Sequence, residues 1–313
     1  MPVVLVTGGA GFIGSHVAQT LAERGDRVRV LDDFSAGSAA NLAGLPVEVI
    51  RGDIRDPATV ERAVAGVRWL VHCAAAVSVA ESMADPRRAY EVNVLGTVTV
   101  LEAARKAGAM RAVLASSCAV YGDLGRPAAE EDELRPHSPY AESKRAMEGV
   151  ARLYSEGLGL PTVCLRLFNV YGPRQSPQSE YAAVIPRFIE ALLAGQPLEI
   201  HGDGKQTRDF VFVSDVVAAC LAAAETDTPA GHIFNVGSGR SVAVLELAQR
   251  LQAYLPGGPA SQHGPARPGD IQASAADLTR SRQALGYRPL VDLQEGLAAT
   301  VEWSKRRSDA APS

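Results

Sequence analysis

A glycine-rich turn near the start of the chain constrains the fold more than any other feature of the sequence. Its three glycines are spaced three residues apart: Gly8, Gly11 and Gly14. The apolar run at residues 3–6 predicts a buried strand before the turn, and residues 15–23 predict a helix after it. Glycines let the backbone turn sharply and approach a pyrophosphate, which binds free amide groups at the start of a helix. The turn, which also holds Phe12 and Ile13, therefore predicts a dinucleotide site.

The first half of the chain alternates apolar runs with helical patterns. The apolar runs predict buried strands at residues 3–6, 27–31, 47–50, 69–72, 112–115 and 162–166. The helical patterns between them lie at residues 15–23, 58–65, 86–107 and 140–155. Gly25 is placed to end the first helix, and Asp56 followed by Pro57 is placed to begin the second. This alternation predicts an α/β fold, a doubly wound parallel sheet of the Rossmann type, over residues 1–168.

The pattern changes after residue 168. Loops rich in glycine and proline separate predicted helices at residues 185–194, 215–225 and 244–255. We therefore expect residues 169–303 to form a smaller mixed α/β lobe that binds substrate and is interleaved with the sheet. Residues 304–313 are polar and end in Ala-Ala-Pro-Ser, which predicts a flexible tail.

The composition excludes several classes of partner. The 313 residues carry a formal net charge of −4, which gives no general attraction to nucleic acid or to anionic lipid. No apolar run reaches the roughly 18 residues of a membrane helix, and the first residues predict a strand and not a signal peptide. The four cysteines and six histidines are dispersed, without the spacing of a metal site. We therefore expect a cytoplasmic protein that binds no metal, nucleic acid or membrane.

Two acidic residues end the second predicted strand. Asp32 follows the glycine turn by about 20 residues, where a carboxylate hydrogen-bonds the ribose hydroxyls of an adenosine. A carboxylate there repels a 2′-phosphate, and Asp33 adds a second negative charge. The pair predicts NAD and disfavours NADP, while a solvated turn with two acids is the alternative interpretation.

Other candidate cofactor contacts follow the next strands. Asp53 and Ile54 come after the third strand, where Asp53 would meet the adenine edge. Ala74 and Ala75 come after the fourth strand, and their small side chains let the backbone pass close to a cofactor. Asn93 lies within the long predicted helix, and a buried asparagine needs hydrogen-bond partners. Asn93 therefore either fixes a helix kink or anchors the cofactor side of the fold.

A tyrosine and a lysine four residues apart form the candidate catalytic pair. Tyr140 and Lys144 share one face of a predicted helix, and Ser117 ends the fifth strand. A neighbouring cation, together with the positive nicotinamide ring, favours the phenolate and lowers the pKa of a tyrosine. Tyr140 would then take a hydroxyl proton as general base while hydride leaves the same carbon, with Ser117 bound to the reacting oxygen. Lys144 would also hold the nicotinamide ribose. Taken alone, the Tyr140–Lys144 spacing also fits an ordinary surface pair.

With these motifs in order, the sequence resembles the extended short-chain dehydrogenase/reductases, and among them the UDP-glucose and UDP-N-acetylglucosamine 4-epimerases. The likeness extends from Val3 to Trp303 and is carried by TGGAGFIGS, GDIRD, SSCAVYG, YAESK, RLFNVYGPRQ, YAAVIP, GDGKQTRDF, FNVGSG and RPGDI. The resemblance implies an isomerase with tightly bound NAD that inverts carbon 4 of a UDP-sugar through a transient 4-keto intermediate. It also implies a homodimer formed through the helices at residues 86–107 and 140–155.

The resemblance assigns further residues to the substrate. Asn169, Arg208 and Arg267 match residues that contact the diphosphate, and Asp270 matches the acid that binds the uridine ribose. Ser274 matches the position that gates the sugar pocket, where a small residue admits N-acetylhexosamines as well as plain hexoses. The other residues expected to line the substrate site are Ser78, Ala183 and Val184. Solvated loop positions are the alternative interpretation for the two arginines.

Three other functions stay open. Dehydratases of this family carry Thr-Asp-Glu at the positions where this chain has Ser117, Cys118 and Ala119. UDP-glucuronate decarboxylases carry Glu at the position of Ala119. The chain therefore lacks the acids of those reactions, although the thiol of Cys118 is available to an unusual elimination. A non-catalytic NAD-sensing protein is the third alternative. Such proteins usually lose the catalytic residues, whereas Ser117, Tyr140 and Lys144 are all present.

Overall fold

The structure, a computed structural model, describes residues 3–177, 183–226, 231–266 and 271–310. Its strands are β1 Val3–Thr7, β2 Arg27–Asp32, β3 Val47–Arg51, β4 Val67–His72, β5 Arg111–Ser117, β6 Thr162–Leu167, β7 Asn169–Tyr171, β8 Glu199–His201, β9 Thr207–Phe212, β10 His232–Val236, β11 Ser241–Ala243 and β12 Gln262–Gly264. Two small sheets, β11-β9-β7 and β12-β8, lie outside the main sheet.

The main sheet has seven strands in the order β10-β6-β5-β4-β1-β2-β3. All of its pairings are parallel. The chain runs from β1 to β2 and β3 on one side, and then returns to the other side of β1 with β4, β5 and β6. This reversal opens a crevice at the carboxyl ends of β1 and β4, where ligands bind in sheets of this kind. The predicted doubly wound parallel sheet is confirmed.

The helices cover both faces of this sheet and build the smaller lobe. They are α1 Phe12–Glu23, α2 Pro57–Val64, α3 Val79–Ala84, α4 Pro86–Tyr90, α5 Thr97–Lys106, α6 Pro139–Glu156, α7 Val184–Leu193, α8 Val213–Glu225, α9 Val244–Tyr254, α10 Thr279–Leu285 and α11 Leu293–Ala310. As predicted, Gly25 follows α1 with φ +85°, and Asp56 caps α2 by accepting from the amide of Ala58 at 3.2 Å.

Alternate residues of the central strand contribute to two separate cores. On β1, Val4 and Val6 lie in the core shared with α1 and α8, whereas Val3 and Leu5 lie in the core shared with α2, α5 and α6. A third core packs α7, α9 and α11 against β8 and β9. Because helices cover both faces of the sheet, the loops at its carboxyl edge are the part of it that a ligand can reach.

Two strands differ from the prediction. β3 is not buried: it lies at the edge of the sheet, with Glu48 and Val49 exposed, because no strand pairs with its outer side in the described residues. β10 was not predicted as a strand, yet it pairs with β6 and completes the sheet at the opposite edge. The order of strands depends on contacts distant in sequence, which local patterns do not report.

Two helical regions also differ from the prediction. The helix expected at residues 86–107 is interrupted by a π-helical turn, Glu91–Gly96, which joins α4 to α5. α11 continues through the predicted flexible tail as far as Ala310, supported by a hydrogen bond from Ser304 Oγ to the carbonyl of Thr300 at 2.9 Å. Within the described ranges, every helix is too short or too polar to cross a membrane.

Candidate active site

The glycine turn closes tightly against the loop that follows β4. Gly8 has φ +68°, and a Cβ atom there would lie 2.6 Å from the backbone nitrogen of Ala74. A Cβ atom on Gly14 would overlap the carbonyl oxygen of Gly8. No side chain caps the start of α1, so the amide groups of its first turn, which includes Phe12 and Ile13, are left for a ligand. The turn has the shape and the donors that hold a diphosphate.

Asp32 ends β2 with its carboxylate between the glycine turn and the next loop. Its Oδ2 accepts from the amide of Ala10 at 2.8 Å, and its Oδ1 accepts from the amide of Phe34 at 2.8 Å. Burial raises the pKa of Asp32, and these amide hydrogen bonds oppose the rise. Asp33 accepts instead from the amide and the hydroxyl of Ser35, at 2.8 and 2.6 Å. Asp32 thus fixes one wall of the crevice, and its remaining lone pairs can accept from ribose hydroxyls.

The segment after β3 makes its contacts within the protein. The carboxylate of Asp53, predicted to meet the adenine edge, pairs with Arg55 at 2.6 Å, and this hydrogen-bonded contact lowers the pKa of Asp53. Ile54 is buried and packs against Gly96 of the π-helical turn. These two residues therefore support the wall of the crevice through protein contacts.

Asn93 lies in the π-helical turn and holds the loop after β4 against α6. Its Oδ1 accepts from the amide of Ala76 at 2.8 Å. Its Nδ2 donates to the carbonyl of Ala76 at 3.0 Å and to Ser143 Oγ at 2.9 Å. Asn93 is buried, so these contacts satisfy its amide without solvent. It lies in a helix irregularity and also anchors the loop that carries Ala74 and Ala75.

A buried hydrogen-bond chain through His72 was not identified as functional in the sequence. Thr97 Oγ1 donates to the carbonyl of Asn93 at 2.7 Å, so it accepts from His72 Nε2 at 3.0 Å. His72 Nδ1 in turn accepts from Thr7 Oγ1 at 2.7 Å. Burial lowers the pKa of His72 to about 3, and the charge of Lys144 acts in the same direction. A neutral imidazole therefore joins the ends of β1 and β4 to the π-helical turn. In the sequence, the polar residues Thr7 and His72 at the ends of two apolar strands could have indicated this hydrogen-bond chain.

Ser117, Tyr140 and Lys144 meet at the carboxyl end of β5. Ser138 caps α6 by accepting from its first turn, which places Tyr140 at the start of the helix. Ser117 lies close enough to the Tyr140 hydroxyl to lower its pKa by hydrogen bonding. Lys144 is 4% exposed, and its Nζ donates to the carbonyl of Ala115 at 2.8 Å. The structure therefore brings the three predicted catalytic residues together.

Burial opposes both charges of the Tyr140–Lys144 pair. It raises the pKa of Tyr140 to about 12, although the hydrogen bond with Ser117 lowers it, and it lowers the pKa of Lys144 to about 8. In the protein without a nicotinamide ring, burial of the phenol therefore determines the direction of the pKa shift of Tyr140, and the ammonium group of Lys144 donates to Ala115. A phenolate at neutral pH needs a further positive charge beside Tyr140.

Three predicted substrate residues converge between the small sheets and the main sheet. Asn169 begins β7, which pairs in parallel with β9, the strand that carries Arg208. Arg208 donates to the carbonyl of Ile271 at 2.6 Å. Ser274 lines a small cavity together with Ile271 and Cys118, the residue after Ser117. The expected gate of the sugar pocket therefore lies beside the end of β5.

The remaining predicted substrate residues lie at helix starts or outside the described ranges. Ser78 caps α3 by accepting from the amide of Glu81 at 3.1 Å. Ala183 precedes α7, and Val184 is its first residue. Arg267 and Asp270 lie outside the described residues.

Asp209 organises the lobe and was missed in the sequence. It is buried, and its Oδ1 accepts from the amide and the hydroxyl of Ser238 at 2.6 and 2.7 Å. Its Oδ2 accepts from the amides of Gly239 and Ala276 at 3.0 and 2.9 Å. Asp209 therefore fastens the segment that carries Ser274 to β9, beside Arg208. An acid within an apolar strand was the signal that pointed to it.

Comparison with known proteins identifies the family of this chain. Residues 4–237 match the NAD dependent epimerase/dehydratase family. The chain is 41% identical over 312 residues to the UDP-glucose 4-epimerase of Mycolicibacterium smegmatis, covering 97% of this chain and 99% of that relative. Other relatives are named as dTDP-glucose 4,6-dehydratase and UDP-glucuronic acid decarboxylase.

Two solved structures share the whole fold. The UDP-N-acetylglucosamine 4-epimerase from Methanobrevibacter ruminantium, in complex with UDP-N-acetylmuramic acid, has a TM-score of 0.93 and 35% identity over 98% of this chain and 99% of that one. The Thermus thermophilus UDP-glucose 4-epimerase, in complex with NAD, has a TM-score of 0.88 and 39% identity over 97% and 99%. The predicted family, enzyme class and cofactor are confirmed, and the chain belongs to the NAD-dependent epimerase/dehydratase family.

Proposed function

We propose that this chain is a UDP-sugar 4-epimerase, an isomerase that keeps NAD bound and inverts carbon 4 through a transient 4-keto sugar. The observation that carries the proposal is the placement of Ser117 at the end of β5 close enough to influence the Tyr140 hydroxyl, with the buried ammonium group of Lys144 one helical turn along α6. These groups lie at the carboxyl edge of the sheet, where a nicotinamide ring and a sugar hydroxyl would meet. The identity with a named epimerase over nearly the whole chain supports the same reaction.

The residues around the crevice fit NAD. The turn at residues 8–14 would hold the diphosphate on the first amides of α1, since among the described residues no side chain makes a capping hydrogen bond there. Asp32 would accept from the adenosine ribose and disfavour a 2′-phosphate. Ala74 and Ala75 would leave room for the cofactor beside the glycine turn. When bound, NAD would supply the hydride acceptor and donor for the oxidation and re-reduction of carbon 4.

Tyr140 would carry the proton. It takes the proton of the carbon-4 hydroxyl as carbon 4 loses a hydride, and it returns the proton to the ketone oxygen as the hydride comes back, so the sugar gains and loses no atom. Ser117 would donate a hydrogen bond to the reacting oxygen. The ammonium group of Lys144 and the positive nicotinamide ring would together favour the phenolate against the effect of burial on the pKa of Tyr140.

Inversion requires a firm hold on the nucleotide and a loose hold on the sugar. Arg208 and Arg267 would grip the diphosphate together with Asn169, and Asp270 would bind the uridine ribose. These contacts would be made with the nucleotide, away from the reacting carbon. Binding energy from the nucleotide can therefore be used while the 4-keto sugar turns over.

The substrate range would include N-acetylated sugars. Ser274 is small and lines the cavity beside Cys118. Ser78, Ala183 and Val184 would line other parts of the substrate site. We therefore propose that the enzyme interconverts UDP-N-acetylglucosamine and UDP-N-acetylgalactosamine as well as UDP-glucose and UDP-galactose.

The rival reactions need an acid that this site supplies poorly. Dehydration or decarboxylation within the family would depend on the position of Cys118 or Ala119. Burial raises the pKa of Cys118 to about 12, so its thiol is a weak proton donor at neutral pH. This observation favours epimerisation over dehydration of the sugar and over decarboxylation of UDP-glucuronate.

We further propose how the molecule is organised. Residues 1–168 would form the NAD-binding domain and residues 169–303 the substrate lobe. From the lobe segment, α8 packs on one face of the main sheet and β10 pairs with β6 as its edge strand. A homodimer would form through α4, the π-helical turn, α5 and α6. The apolar side chains of Leu95, Val98 and Leu153 are exposed on these segments. The four cysteines are free, which suits a cytoplasmic location.

Product analysis tests this function directly. Purified enzyme is incubated separately with UDP-glucose, UDP-N-acetylglucosamine and UDP-glucuronate, and products are identified by NMR and mass spectrometry. The proposal predicts the 4-epimers of the first two, with unchanged mass. Loss of water or of carbon dioxide, or the absence of turnover with all three, would overturn it.

A further inference from the structure

A buried ion pair lies beneath the candidate catalytic residues, and the mechanism above does not use it. Glu148 is 5% exposed and Arg166 is 2% exposed. Arg166 donates from Nε to Glu148 Oε1 at 2.9 Å and from Nη2 to Oε2 at 2.8 Å. Ser116 Oγ donates to the same Oε1 at 2.6 Å. These three contacts fix the carboxylate in one orientation.

The carboxylate belongs to the same helix face as the candidate catalytic groups. On α6, Lys144 lies one turn after Tyr140, and Glu148 lies one turn after Lys144. Any tilt or sliding of α6 that moved Tyr140 would therefore also stretch the contacts of Glu148.

The partners of Glu148 belong to the two strands that end at the site. Ser116 directly precedes Ser117 at the end of β5. Arg166 lies on β6, three residues before Asn169. The ion pair therefore joins the helix that carries the general base to the strands that lead to the substrate contacts.

Stability alone does not account for the pair. Taking two charges out of water is costly, and apolar pairs of similar volume often replace buried ion pairs without loss of stability. Arg166 also makes two contacts outside the ion pair. Its Nη1 donates to the carbonyl of Glu130 at 3.1 Å, and its guanidinium lies 4.7 Å from the ring centroid of Tyr121. An apolar pair would provide neither this directionality nor a charge.

The charge of Glu148 acts on Lys144. The titratable groups that interact with the buried ammonium group are His72 at the end of β4, Cys73 after it, Cys164 on β6 and Glu148 on α6. Burial lowers the pKa of His72 to about 3 and raises the pKa values of both thiols, so these three groups are neutral at pH 7. Glu148 is the anionic member of this set and opposes the loss of the Lys144 proton.

We propose that Glu148 and Arg166, with Ser116, are positioning residues: they hold α6 in register with the ends of β5 and β6 and fix a carboxylate one helical turn from Lys144. The proposal rests on the proposed function, because it assumes that Tyr140 and Lys144 act together in proton transfer. It assigns no contact with substrate to the ion pair.

The test compares pH profiles of kcat for Glu148→Gln and Glu148→Asp. Gln keeps the size but removes the charge, so the alkaline limb should move to lower pH by about one unit. Asp keeps the charge but shortens the reach, so kcat should fall at every pH while the alkaline limb stays in place. Glu142→Gln is the matched control: Glu142 pairs with Arg145 at 2.8 Å on the solvent side of the same helix, and its loss should leave the profile unchanged.

A second variant covers the case in which Glu148→Gln does not fold. In Glu148→Met/Arg166→Met neither partner of the ion pair is left alone in the core, so thermal unfolding and UDP affinity by calorimetry should stay close to wild type. Its kcat should nevertheless fall about tenfold or more, since α6 is no longer fixed.

Two results would overturn the proposal: an unshifted alkaline limb in folded Glu148→Gln, or a kcat within about twofold of wild type in the double variant. Tyr140→Phe is measured in parallel. If Tyr140→Phe stays active, the proposed function fails; if it is inactive while the Glu148 variants behave as wild type, the positioning proposal alone fails.

Discussion

Asn93 pairs with both backbone groups of Ala76, accepting from its amide at 2.8 Å and donating to its carbonyl at 3.0 Å. The Asn93 side chain thus pairs with the backbone amide and carbonyl of Ala76 as a neighbouring strand would, at a position beyond the end of β4. The same loop approaches the glycine turn, where a Cβ atom on Gly8 would collide with Ala74. The loop after β4 is therefore positioned by the hydrogen bonds of Asn93 and by the close approach that Gly8 allows because it has no side chain.

Replacing Asn93 by Ala should loosen this loop. The substitution leaves the amide and the carbonyl of Ala76 without their partner, and we expect the free energy of unfolding to fall by about 2 kcal/mol. The NAD content of the purified protein should fall as well. Urea denaturation and cofactor release measure the two effects. An unchanged midpoint with full NAD content would contradict this role of Asn93.

Gly8→Ala should be far more damaging than the same change at Gly25. Both glycines have positive φ, but only Gly8 is surrounded by backbone, whereas nothing lies within 4 Å of a Cβ atom at Gly25. We expect a loss of about 1 kcal/mol for Gly25→Ala from its backbone conformation. For Gly8→Ala we expect about 3–5 kcal/mol and loss of bound NAD. Equal destabilisation of the two variants would show that the close approach at Gly8 is unimportant.

Lys144→Met should stabilise the protein at pH 7 while abolishing turnover. The folded-state pKa of Lys144 is about 8, below the ordinary 10.5, so between these values the unfolded chain binds more protons and the contribution of Lys144 to stability rises with pH. At pH 7 the folded protein therefore carries a penalised charge, and removing it should add about 1–3 kcal/mol. The gain should shrink towards pH 10. Lys106→Met, at an exposed position, serves as the control in the same denaturation series. A less stable Lys144→Met variant at pH 7 would contradict the lowered pKa.

Ser274→Tyr should separate the two substrate classes. A phenol ring in the cavity beside Cys118 would exclude an N-acetyl group, so kcat/KM for UDP-N-acetylglucosamine should fall about a hundredfold or more. The value for UDP-glucose should change little, because a plain hexose needs less space. Equal losses for both sugars would show that Ser274 does not gate the pocket.

The features that the sequence predicted correctly are local ones. Apolar runs and the glycine turn specify strands, a sharp reversal and a helix start within a few residues of one another, and Gly8, Asp32 and Tyr140 lie in these segments. Helix starts were predictable for the same reason, as Asp56 shows. The proximity of the candidate catalytic residues Ser117 and Tyr140 was expected from a serine at a strand end and from the Tyr140–Lys144 spacing at a helix start, combined with the glycine turn and Asp32.

The features that the sequence did not predict depend on contacts distant along the chain. His72 meets Thr7 across 65 positions, and Asp209 meets Ala276 across 67. The position of β3 at the sheet edge depends on strand order, and the raised pKa of Tyr140 depends on how completely its phenol is buried. None of these follows from periodicity or composition.

The central claim is that Tyr140 moves the proton of the carbon-4 hydroxyl. The most direct measurement compares wild type and Tyr140→Phe in UDP-glucose turnover by NMR, with NADH absorbance followed in the same samples and UDP affinity as the test of folding. We predict that Tyr140→Phe binds UDP normally but loses roughly a thousandfold in kcat and forms no transient NADH. Wild-type turnover by a folded Tyr140→Phe variant would contradict the account.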